Sequence, residues 1–404
     1  MTNLTTKKLG EVCQVINGRA YKRSELLDAG KYKVLRVGNF FTNNEWYYSD
    51  LELEEDKYCD IGDLLFAWSA SFGPRIWKGD KTIYHYHIWK MVPNESFIDK
   101  TYLYYYLLDR TKYLMSSTHG STMLHLTKSF IEDLNVIYPS NIEDQRRIAS
   151  VLLDLDSKIE LNNQINQQLE EMAKSIYDYW FVQFDFPNEE GKPYKSSGGK
   201  MVYNKKLRRE IPKGWEVKEL NELVEVSNET LNPMLSPDKE FKHYSIPVFD
   251  ATETYTVEKG EEIRSNKFVV NGNDILVSKL NPWFSRVVYV EDEDDMISST
   301  EFVVWRTDDI AMKNYLYMVA RNEHFIETNV QAATGTSNSH RRVNPTLMMK
   351  YKVPFSSKQV HDFNAIIESS IKKTIELKKE NQELASLRDW LLPMLMNGQV
   401  EVRR

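Results

Sequence analysis

Residues 120–148 read GSTMLHLTKSFIEDLNVIYPSNIEDQRRI, and residues 335–363 read GTSNSHRRVNPTLMMKYKVPFSSKQVHDF. Both stretches contain a Gly in a polar loop, then a His, a Pro and the beginning of an amphipathic helix, at the same spacing. The matched positions, 215 apart, are Gly120, His125, Pro139 and Ile148 against Gly335, His340, Pro354 and Phe363. A duplicated module joined to a duplicated helix can contact two places on one long ligand, and we expect that ligand to be DNA.

The repeat extends upstream of these two stretches. An apolar strand follows a tight turn at residues 62–65 (GDLL) and again at residues 273–276 (NDIL). A later strand contains Trp-Lys at residues 89–90 and Trp-Arg at residues 305–306. Apolar strands that alternate with a few helices predict a mixed α/β domain of roughly 140 residues in each half of the chain.

After each Pro, apolar residues recur three and four positions apart over many helical turns. This spacing predicts long helices that pair through an apolar seam, as in a coiled coil. Asn162 falls on the seam, where a polar side chain commonly fixes the register at some cost in stability. Between the first helix and the second module, residues 191–214 hold eight Lys and Arg residues against one acid, Glu210. Two interpretations of this segment stay open, a solvated linker and a basic tether near DNA phosphates.

The composition limits the class of protein. At 404 residues with 41% apolar content, the chain is long enough for two or three domains with separate cores. The formal net charge of -7 does not decide about DNA binding, because acid and base can gather on different surfaces. Two cysteines, Cys13 and Cys59, predict neither a disulfide framework nor a zinc site. No stretch approaches the roughly 20 apolar residues of a membrane helix, so we expect a cytoplasmic protein.

Catalytic motifs are weak in this sequence. The run Asn281-Pro282-Trp283-Phe284 is similar to the Asn-Pro-Pro-aromatic signature of amino-methyltransferases, but a Trp replaces the second Pro. No Gly-Lys pair is followed by Ser or Thr, as a P-loop would require. His85 and His87 share one face of a predicted strand, and we interpret them as a packed or hydrogen-bonded pair, with DNA contact or metal binding as alternatives.

Three segments resemble one known family. They are residues 62–75, which contain GDLLFAWS and GPR, residues 144–149 (DQRRIA) and residues 191–200 (GKPYKSSGGK). All three resemble the specificity subunits of type I restriction-modification systems, and the resemblance includes the order module, helix, module, helix. It implies two target recognition domains, each reading half of an asymmetric bipartite DNA sequence. It also implies that this chain is not itself an enzyme.

The expected fold class is α/β (α+β). Two similar mixed α/β target recognition domains are separated by two long helices that form an antiparallel coiled coil, in a pseudo-twofold internal repeat. The expected boundaries are 1–141 for the first recognition domain, 142–183 for the central helix, 184–214 for a basic linker, 215–356 for the second recognition domain and 357–398 for the C-terminal helix.

DNA contacts are predicted in two regions of each repeat, because Arg, Lys, Asn, Ser and Thr in loops contact base edges and phosphates. The first region is a loop after the GDLL or NDIL strand, with Trp68, Ser69, Ser71 and Arg75, and with Lys279, Asn281, Ser285 and Arg286. The second is a polar turn, with Thr118, His119, Gly120, Ser121, Thr122 and His125, and with Thr334, Gly335, Thr336, Ser337, Asn338, His340, Arg341 and Arg342. The arginines are the strongest candidates, because Arg can bond guanine through two donors.

The resemblance also implies the partners. These are double-stranded DNA, methylation subunits in an expected two copies docked on the helices, and restriction subunits held through the complex. S-adenosylmethionine, ATP and Mg would serve those subunits, so neither a cofactor nor a metal is expected in this chain. The alternative from a different class is a coiled-coil scaffold or adaptor that binds proteins rather than DNA.

Overall fold

The computed structural model describes residues 3–41, 45–69, 71–116, 126–335 and 340–402, apart from the side chains of residues 112 and 116. The chain forms two compact units. Unit 1 consists of Met1–Lys158 with Leu384–Arg404, and unit 2 consists of Ile159–Glu383. The division between the units falls inside the two long helices, so each helix contributes residues to both.

Unit 1 contains ten strands and four short or medium helices in its described residues. The strands are β1 Leu4–Lys8, β2 Cys13–Asn17, β3 Tyr32–Leu35, β4 Tyr47–Ser49, β5 Tyr58–Cys59, β6 Leu64–Ser69, β7 Ser71–Ile76, β8 Thr82–Tyr84, β9 Ile88–Pro93 and β10 Asn135–Pro139. The helices are α1 Leu9–Val12, α2 Val37–Phe41, α3 Lys100–Ser116 and α4 Lys128–Glu132. The long helix α5, Ile142–Tyr177, begins in this unit and continues into unit 2.

Unit 2 holds the remaining strands and helices. The strands are β11 Met201–Asn204, β12 Arg209–Pro212, β13 Glu216–Glu219, β14 Glu225–Ser227, β15 Thr230–Leu231, β16 Glu240–Tyr244, β17 Thr256–Lys259, β18 Lys267–Val269, β19 Asp274–Ser278, β20 Val287–Tyr289, β21 Met296–Ser298, β22 Phe302–Arg306 and β23 Lys352–Phe355. The helices are α6 Ile246–Thr252, α7 Ile310–Arg321, α8 Glu323–Ala332, α9 Pro345–Met348 and α10 Ser357–Met396, the last of which ends in unit 1.

The sheets of unit 1 are built around a buried apolar strand. An antiparallel sheet has the order β2-β9-β6-β7, and a second sheet has the order β4-β3-β8-β5 with β3 and β8 parallel. Strand β1 pairs with β10. In β6, all four residues from Leu64 to Ala67 are buried, as expected for a central strand covered on both faces.

Unit 2 repeats this topology strand by strand. Its sheet β14-β22-β19-β20 corresponds to β2-β9-β6-β7, and the pair β13-β23 corresponds to β1-β10. The sheet β15-β18-β21-β16-β17 again contains one parallel pair, β16 with β21, and has one additional edge strand, β15. The predicted internal repeat and mixed α/β fold class are therefore confirmed.

Each repeat closes the turn before its central strand with an equivalent ion pair. In unit 1, Lys90 Nζ lies 2.7 Å from Asp63 Oδ2. In unit 2, Arg306 Nε lies 2.7 Å from Asp274 Oδ1. Because these residues belong to the repeated GD/ND and WK/WR motifs, the ion pair explains why a charged residue recurs beside an apolar strand in both halves.

Within unit 2, α5 and α10 run antiparallel. Asn162 Nδ2 donates to Asn381 Oδ1 at 2.9 Å, while the ring of Tyr177 lies 6.2 Å from that of Phe363. Later positions of α5 thus meet earlier positions of α10. Asn162 is fully buried in the seam, which confirms its predicted place there.

The same two helices also join α3 within unit 1. The carboxylate of Asp156, in α5, accepts a hydrogen bond from Arg388 Nη1 of α10 at 2.9 Å. It also accepts one from the Tyr105 hydroxyl of α3 at 2.7 Å. A charged group at the edge of an apolar seam is stabilised when it is bonded from two sides.

Among the residues described, none of the helices combines the length and the apolar character that a bilayer-spanning helix needs.

The interpretation of residues 191–214 as a solvated linker, within the basic linker expected at 184–214, is wrong, while a basic tether near DNA phosphates stays a prediction. Strands β11 and β12 form an antiparallel hairpin in this segment. Phe184, Phe186 and Ile211 are buried in the main hydrophobic core of unit 2. The segment is therefore a folded part of unit 2, and its exposed basic residues at 205–208 occupy the hairpin turn.

Candidate nucleic-acid interface

The two regions predicted to contact DNA in the second repeat meet beyond the carboxyl end of β19. The Asn281 N–H donates to the Arg341 carbonyl at 2.7 Å, and Asn281 Oδ1 accepts from the Arg341 N–H at 3.0 Å. Thr334 and Arg342 exchange backbone hydrogen bonds of 2.9 and 2.8 Å, which join the two described ends of the polar turn. The loop after β19 and this turn thus form one continuous surface of unit 2.

Cationic side chains lie around Glu301 on this surface. Arg342 donates Nε and Nη2 to the two carboxylate oxygens of Glu301, both at 2.9 Å. These bonds lower the pKa of Glu301, with burial opposing them. The Val343 N–H donates to the Lys279 carbonyl at 2.9 Å, so Lys279 lies beside the segment that contains Arg342. The Arg342 side chain remains 45% exposed, which leaves part of a preoriented guanidinium at the surface.

In the polar turn, the backbone at Gly335 closely approaches the backbone of His340. A Cβ added at Gly335 would lie 2.6 Å from the His340 carbonyl oxygen, so only Gly fits at this position. Thr334 and His340 are exposed, whereas Arg341 is half-buried and donates Nη2 to the Ala333 carbonyl at 2.6 Å.

Arg286 does not belong to the exposed surface. Its side chain is buried, and it donates Nε and Nη2 to the carboxylate of Asp250 at 2.5 and 2.8 Å. The guanidinium also lies 4.4 Å from the centroid of the Phe284 ring. Arg286 therefore packs on the buried side of the loop, whereas its neighbour Ser285 is exposed.

Two exposed aromatic residues in this loop were not predicted as contacts. Trp283 is 38% exposed and Phe284 is 58% exposed. They lie in a 3-10 turn that begins with the buried Pro282 and packs against α8. The signal in the sequence was a pair of aromatic residues inside an otherwise polar loop. Such a pair can be distinguished from a buried core segment only when the ends of the neighbouring strands are known.

In unit 1, the first predicted region is a hairpin and not a loop. Trp68 and Ser69 belong to β6, and Ser71 and Arg75 belong to β7, with Ser69 paired opposite Ser71. Ser69 is buried and Trp68 is half-buried, whereas Ser71 and Arg75 are exposed. The Arg75 guanidinium lies 5.7 Å from the centroid of the Phe40 ring, which belongs to α2.

The comparisons with known proteins agree with this duplicated geometry. Residues 1–171 and again residues 212–386 match the family described as the type I restriction modification DNA specificity domain. The chain belongs to this family. It contains two specificity domains, and the two matched stretches contain the two sets of corresponding sheets.

Several relatives are named type I restriction enzyme specificity subunits. The MjaIX subunit of Methanocaldococcus jannaschii is 26% identical over 77% of this chain and 71% of the relative. The MjaVIII subunit of the same organism is 24% identical over 84% and 80%. The HindI subunit of Haemophilus influenzae is 22% identical over 87% and 89%. The S subunit of a type I restriction-modification system from M. genitalium has the same fold, with a TM-score of 0.63 at 15% identity over 98% of this chain and 96% of that one.

Part of the predicted surface lies outside the described residues of both specificity domains. These positions are Thr118, His119, Gly120, Ser121, Thr122 and His125 in the first domain and Thr336, Ser337 and Asn338 in the second. In the first domain, the N–H of Leu126 donates to the Trp68 carbonyl at 3.3 Å. The chain that follows the first polar turn therefore returns to the β6–β7 hairpin, as Val343 returns to Lys279 in the second domain.

His85 and His87 pack against each other, as expected, but the prediction that they share one face of a strand is wrong, because residues 86–87 form a turn between β8 and β9. Their ring centroids are 4.7 Å apart, and the ring of His87 lies 5.1 Å from that of Trp68. Burial, with the charges of His87 and Arg36, lowers the pKa of His85 to about 4, so its imidazole is neutral near pH 7. Within the described parts of the chain, no group of three or more His, Cys, Asp or Glu side chains is placed to hold a metal ion.

A cavity of about 580 Å³ lies inside unit 2, with Phe284 on its rim. Its charged lining residues include Glu170, which bonds Arg321 at 2.7 Å and Lys378 at 3.0 Å. Burial alone would raise the pKa of Glu170, but these two cations lower it. Because these charges are matched within the protein, the cavity does not by itself indicate a charged ligand.

Proposed function

We propose that this chain is the DNA-binding specificity subunit of a type I restriction-modification complex. Each specificity domain reads one half of an asymmetric bipartite DNA site and directs the associated methylation and restriction subunits to it. The observation that supports this function best is the pair of specificity domains with the same sheet topology but different residues after the central strand.

The chemistry of the two surfaces supports two different half-sites. In the second domain, the loop after β19 exposes Trp283 and Phe284, and its Asn281 is hydrogen-bonded to the backbone of Arg341, which precedes Arg342. In the first domain, the equivalent position is the β6–β7 hairpin with exposed Ser71 and Arg75. Direct readout depends on which donors, acceptors and apolar groups face the base edges, so unlike surfaces are expected to select unlike sequences.

We further propose that this chain does not catalyse methylation or cleavage. Methylation subunits, in two copies, dock on the long helices, and restriction subunits join through the complex. S-adenosylmethionine, ATP and Mg then bind the partner subunits. Exposed apolar residues on the helices support docking: Leu161 on α5 is 50% exposed and Trp390 on α10 is 57% exposed. Side chains of this kind are enriched where one helical face meets a partner.

Selection of duplex DNA from a random library by the reconstituted complex tests the proposal. The expected result is a motif of two conserved blocks separated by a fixed number of unread base pairs. A scaffold or adaptor would retain no common sequence above that retained by the partner subunits alone. The family match favours the specificity subunit over the scaffold.

A further inference from the structure

We propose that Trp283 and Phe284 form an aromatic wedge that inserts between adjacent base pairs of the half-site read by the second specificity domain. This inference rests on the proposed DNA-binding function and assigns a role to the only residues of the Asn-Pro-Trp-Phe run that are both aromatic and exposed. Proteins that deform DNA commonly insert apolar side chains between base steps, which unstacks the step and bends the duplex.

The wedge is held rigidly by the backbone at both of its ends. Asn281 has φ 49° and Ser285 has φ 50°, and both therefore adopt the left-handed conformation that residues other than Gly rarely occupy. Asn281 is fixed by its two hydrogen bonds to the Arg341 backbone. A sparsely populated conformation persists only where the surroundings impose it, and such positions cluster at functional sites.

The inner side of the wedge is supported by packing. Pro282 is buried, and the 3-10 turn that it begins packs against α8. Arg286 lies 4.4 Å from the Phe284 ring centroid and is itself fixed by Asp250. A ring with a fixed orientation loses little conformational entropy on binding, so its contact energy with a base is retained.

The surroundings of the wedge favour DNA as its occupant rather than another protein. Asn281, at the start of the wedge, is hydrogen-bonded to the Arg341 backbone, and the next residue, Arg342, pairs with Glu301. Lys279 precedes Asn281 by two residues and accepts a backbone hydrogen bond from Val343. DNA suits such a surface, because its phosphates can pair with the cations and its bases can stack on the aromatic rings. A protein partner remains the competing outcome of the test.

The experiment uses the reconstituted complex and its selected DNA site. Phe284→Ala and Trp283→Ala are each compared with wild type, with Leu235→Ala as the matched control, because Leu235 is 82% exposed on another turn of unit 2. Binding is measured by fluorescence anisotropy. A stacking contact contributes about 1–3 kcal/mol per base, so each aromatic-to-alanine change is expected to weaken binding to the selected site roughly 5- to 140-fold. Phe284→Tyr and Trp283→Phe retain an aromatic ring and are expected to bind close to wild type.

A second measurement reports on the base step itself. Replacing adenines of the half-site one at a time by 2-aminopurine gives increased fluorescence where the wedge unstacks a base. We expect the increase at one step in the half-site of the second domain, retained with Leu235→Ala and lost when Trp283 and Phe284 are both changed to Ala. A signal that persists in the double variant, or affinity that is unchanged in it, overturns the wedge while leaving the specificity function intact.

Two controls separate the remaining outcomes. If the double variant loses partner subunits during gel filtration, the aromatic pair contacts protein and the wedge is overturned. If the wild-type complex selects no sequence at all, both the specificity function and the wedge are wrong. Unfolding is monitored by the thermal midpoint, which exposed substitutions at these two positions are expected to leave near that of Leu235→Ala.

Discussion

Replacing Asp274 by Ala is expected to destabilise its repeat much more than replacing Asp63, its counterpart in the first repeat. The side chain of Asp274 is fully buried. Its carboxylate accepts bonds from Arg306 Nε at 2.7 Å, from Arg306 Nη2 at 2.8 Å and from the Asn271 N–H at 2.9 Å. Removing it leaves the Asn271 amide without its acceptor at the start of β19. It leaves Arg306 with only longer contacts, to the Val269 carbonyl at 3.3 Å and to Glu229 at 3.6 Å, among the contacts described.

The magnitudes follow from the difference in burial. Breaking a buried ion pair by removing one partner costs about 3–5 kcal/mol, which is the effect expected for Asp274→Ala. In the first repeat, Lys90 and Asp63 remain 20% and 27% exposed, and Asp63 also accepts the Asp60 N–H at 2.8 Å. A partly solvated pair and one turn hydrogen bond together contribute about 1–2 kcal/mol, which is the effect expected for Asp63→Ala.

Hydrogen exchange followed by mass spectrometry is the suitable assay, because a two-unit chain need not unfold in a single transition. Exchange in β19 and β22 reports on unit 2, and exchange in β6 and β9 reports on unit 1. Asp274→Ala should lower protection in unit 2 by about two to four orders of magnitude, which corresponds to its expected 3–5 kcal/mol.

The reasoning is refuted if the two substitutions destabilise their own units equally. It is also refuted if Asp274→Ala lowers the free energy of unfolding of unit 2 by less than about 1 kcal/mol, the value typical of a solvated pair. Arg306→Met serves as a control, because it removes the cation but keeps an apolar stem, and it should leave the Asp274 carboxylate buried and unpaired.

Three further predictions concern DNA specificity and acid stability. Arg342→Ala should weaken DNA binding and reduce the slope of log affinity against log salt by about one if Arg342 contacts a phosphate; an unchanged slope measured by anisotropy would contradict this contact. Exchange of residues 1–141 for the module of another family member should change one half-site only in a selection assay, and altered preference in both halves would argue against independent reading. Burial alone would raise the pKa of Glu293, but hydrogen bonds from Lys242, Lys379 and Tyr255 lower it from 4.5 to about 2. Because the pKa of Glu293 is lower in the folded than in the unfolded chain, this stabilisation is present above about pH 4.5 and is lost as pH falls towards 2. In Glu293→Gln, the free energy of unfolding of unit 2 should therefore fall less over this pH range than in wild type.

The sequence predicted those parts of the fold whose motifs occur in both halves of the chain or whose apolar residues recur at a regular spacing. The topology of the two sheets follows motifs such as GDLL and NDIL, which recur in both halves. Helical spacing predicted α5 and α10, and a polar residue on an apolar seam predicted the buried Asn162. These signals are local or duplicated, so one sequence is sufficient to detect them.

The errors arise where a local signal has two structural outcomes. A loop was predicted to contain Ser71 and Arg75, yet both lie in β7, an edge strand that also contains Pro74. Pro is tolerated on an edge strand because no neighbour needs its missing N–H. In the segment 184–214, the many Lys and Gly residues favoured a linker, although Phe184, Phe186 and Ile211 pack in the core of unit 2.

The site was predicted less completely than the fold because partners distant in sequence determine which side chains are exposed. Arg286 is 36 positions from Asp250, and no local pattern indicates that the two form a buried ion pair. The exposed aromatic pair that follows Asn281 was likewise visible only after β19 and the polar turn were placed together. Exposure is a tertiary property, and composition alone does not determine it.

The two specificity domains differ most where DNA contact is proposed and least where their folds are determined. Strand order and the ion pair at the central strand are retained, while a β6–β7 hairpin with Ser71 and Arg75 in one domain is replaced by a loop with Trp283 and Phe284 in the other. If both domains read the same half-site, the same donors and apolar groups would be needed at both surfaces, because each base pair presents its own pattern in the groove. Two domains with the same strand order but different exposed side chains are therefore expected to bind two different half-sites. Recovery of a palindromic site in the selection assay would contradict this expectation.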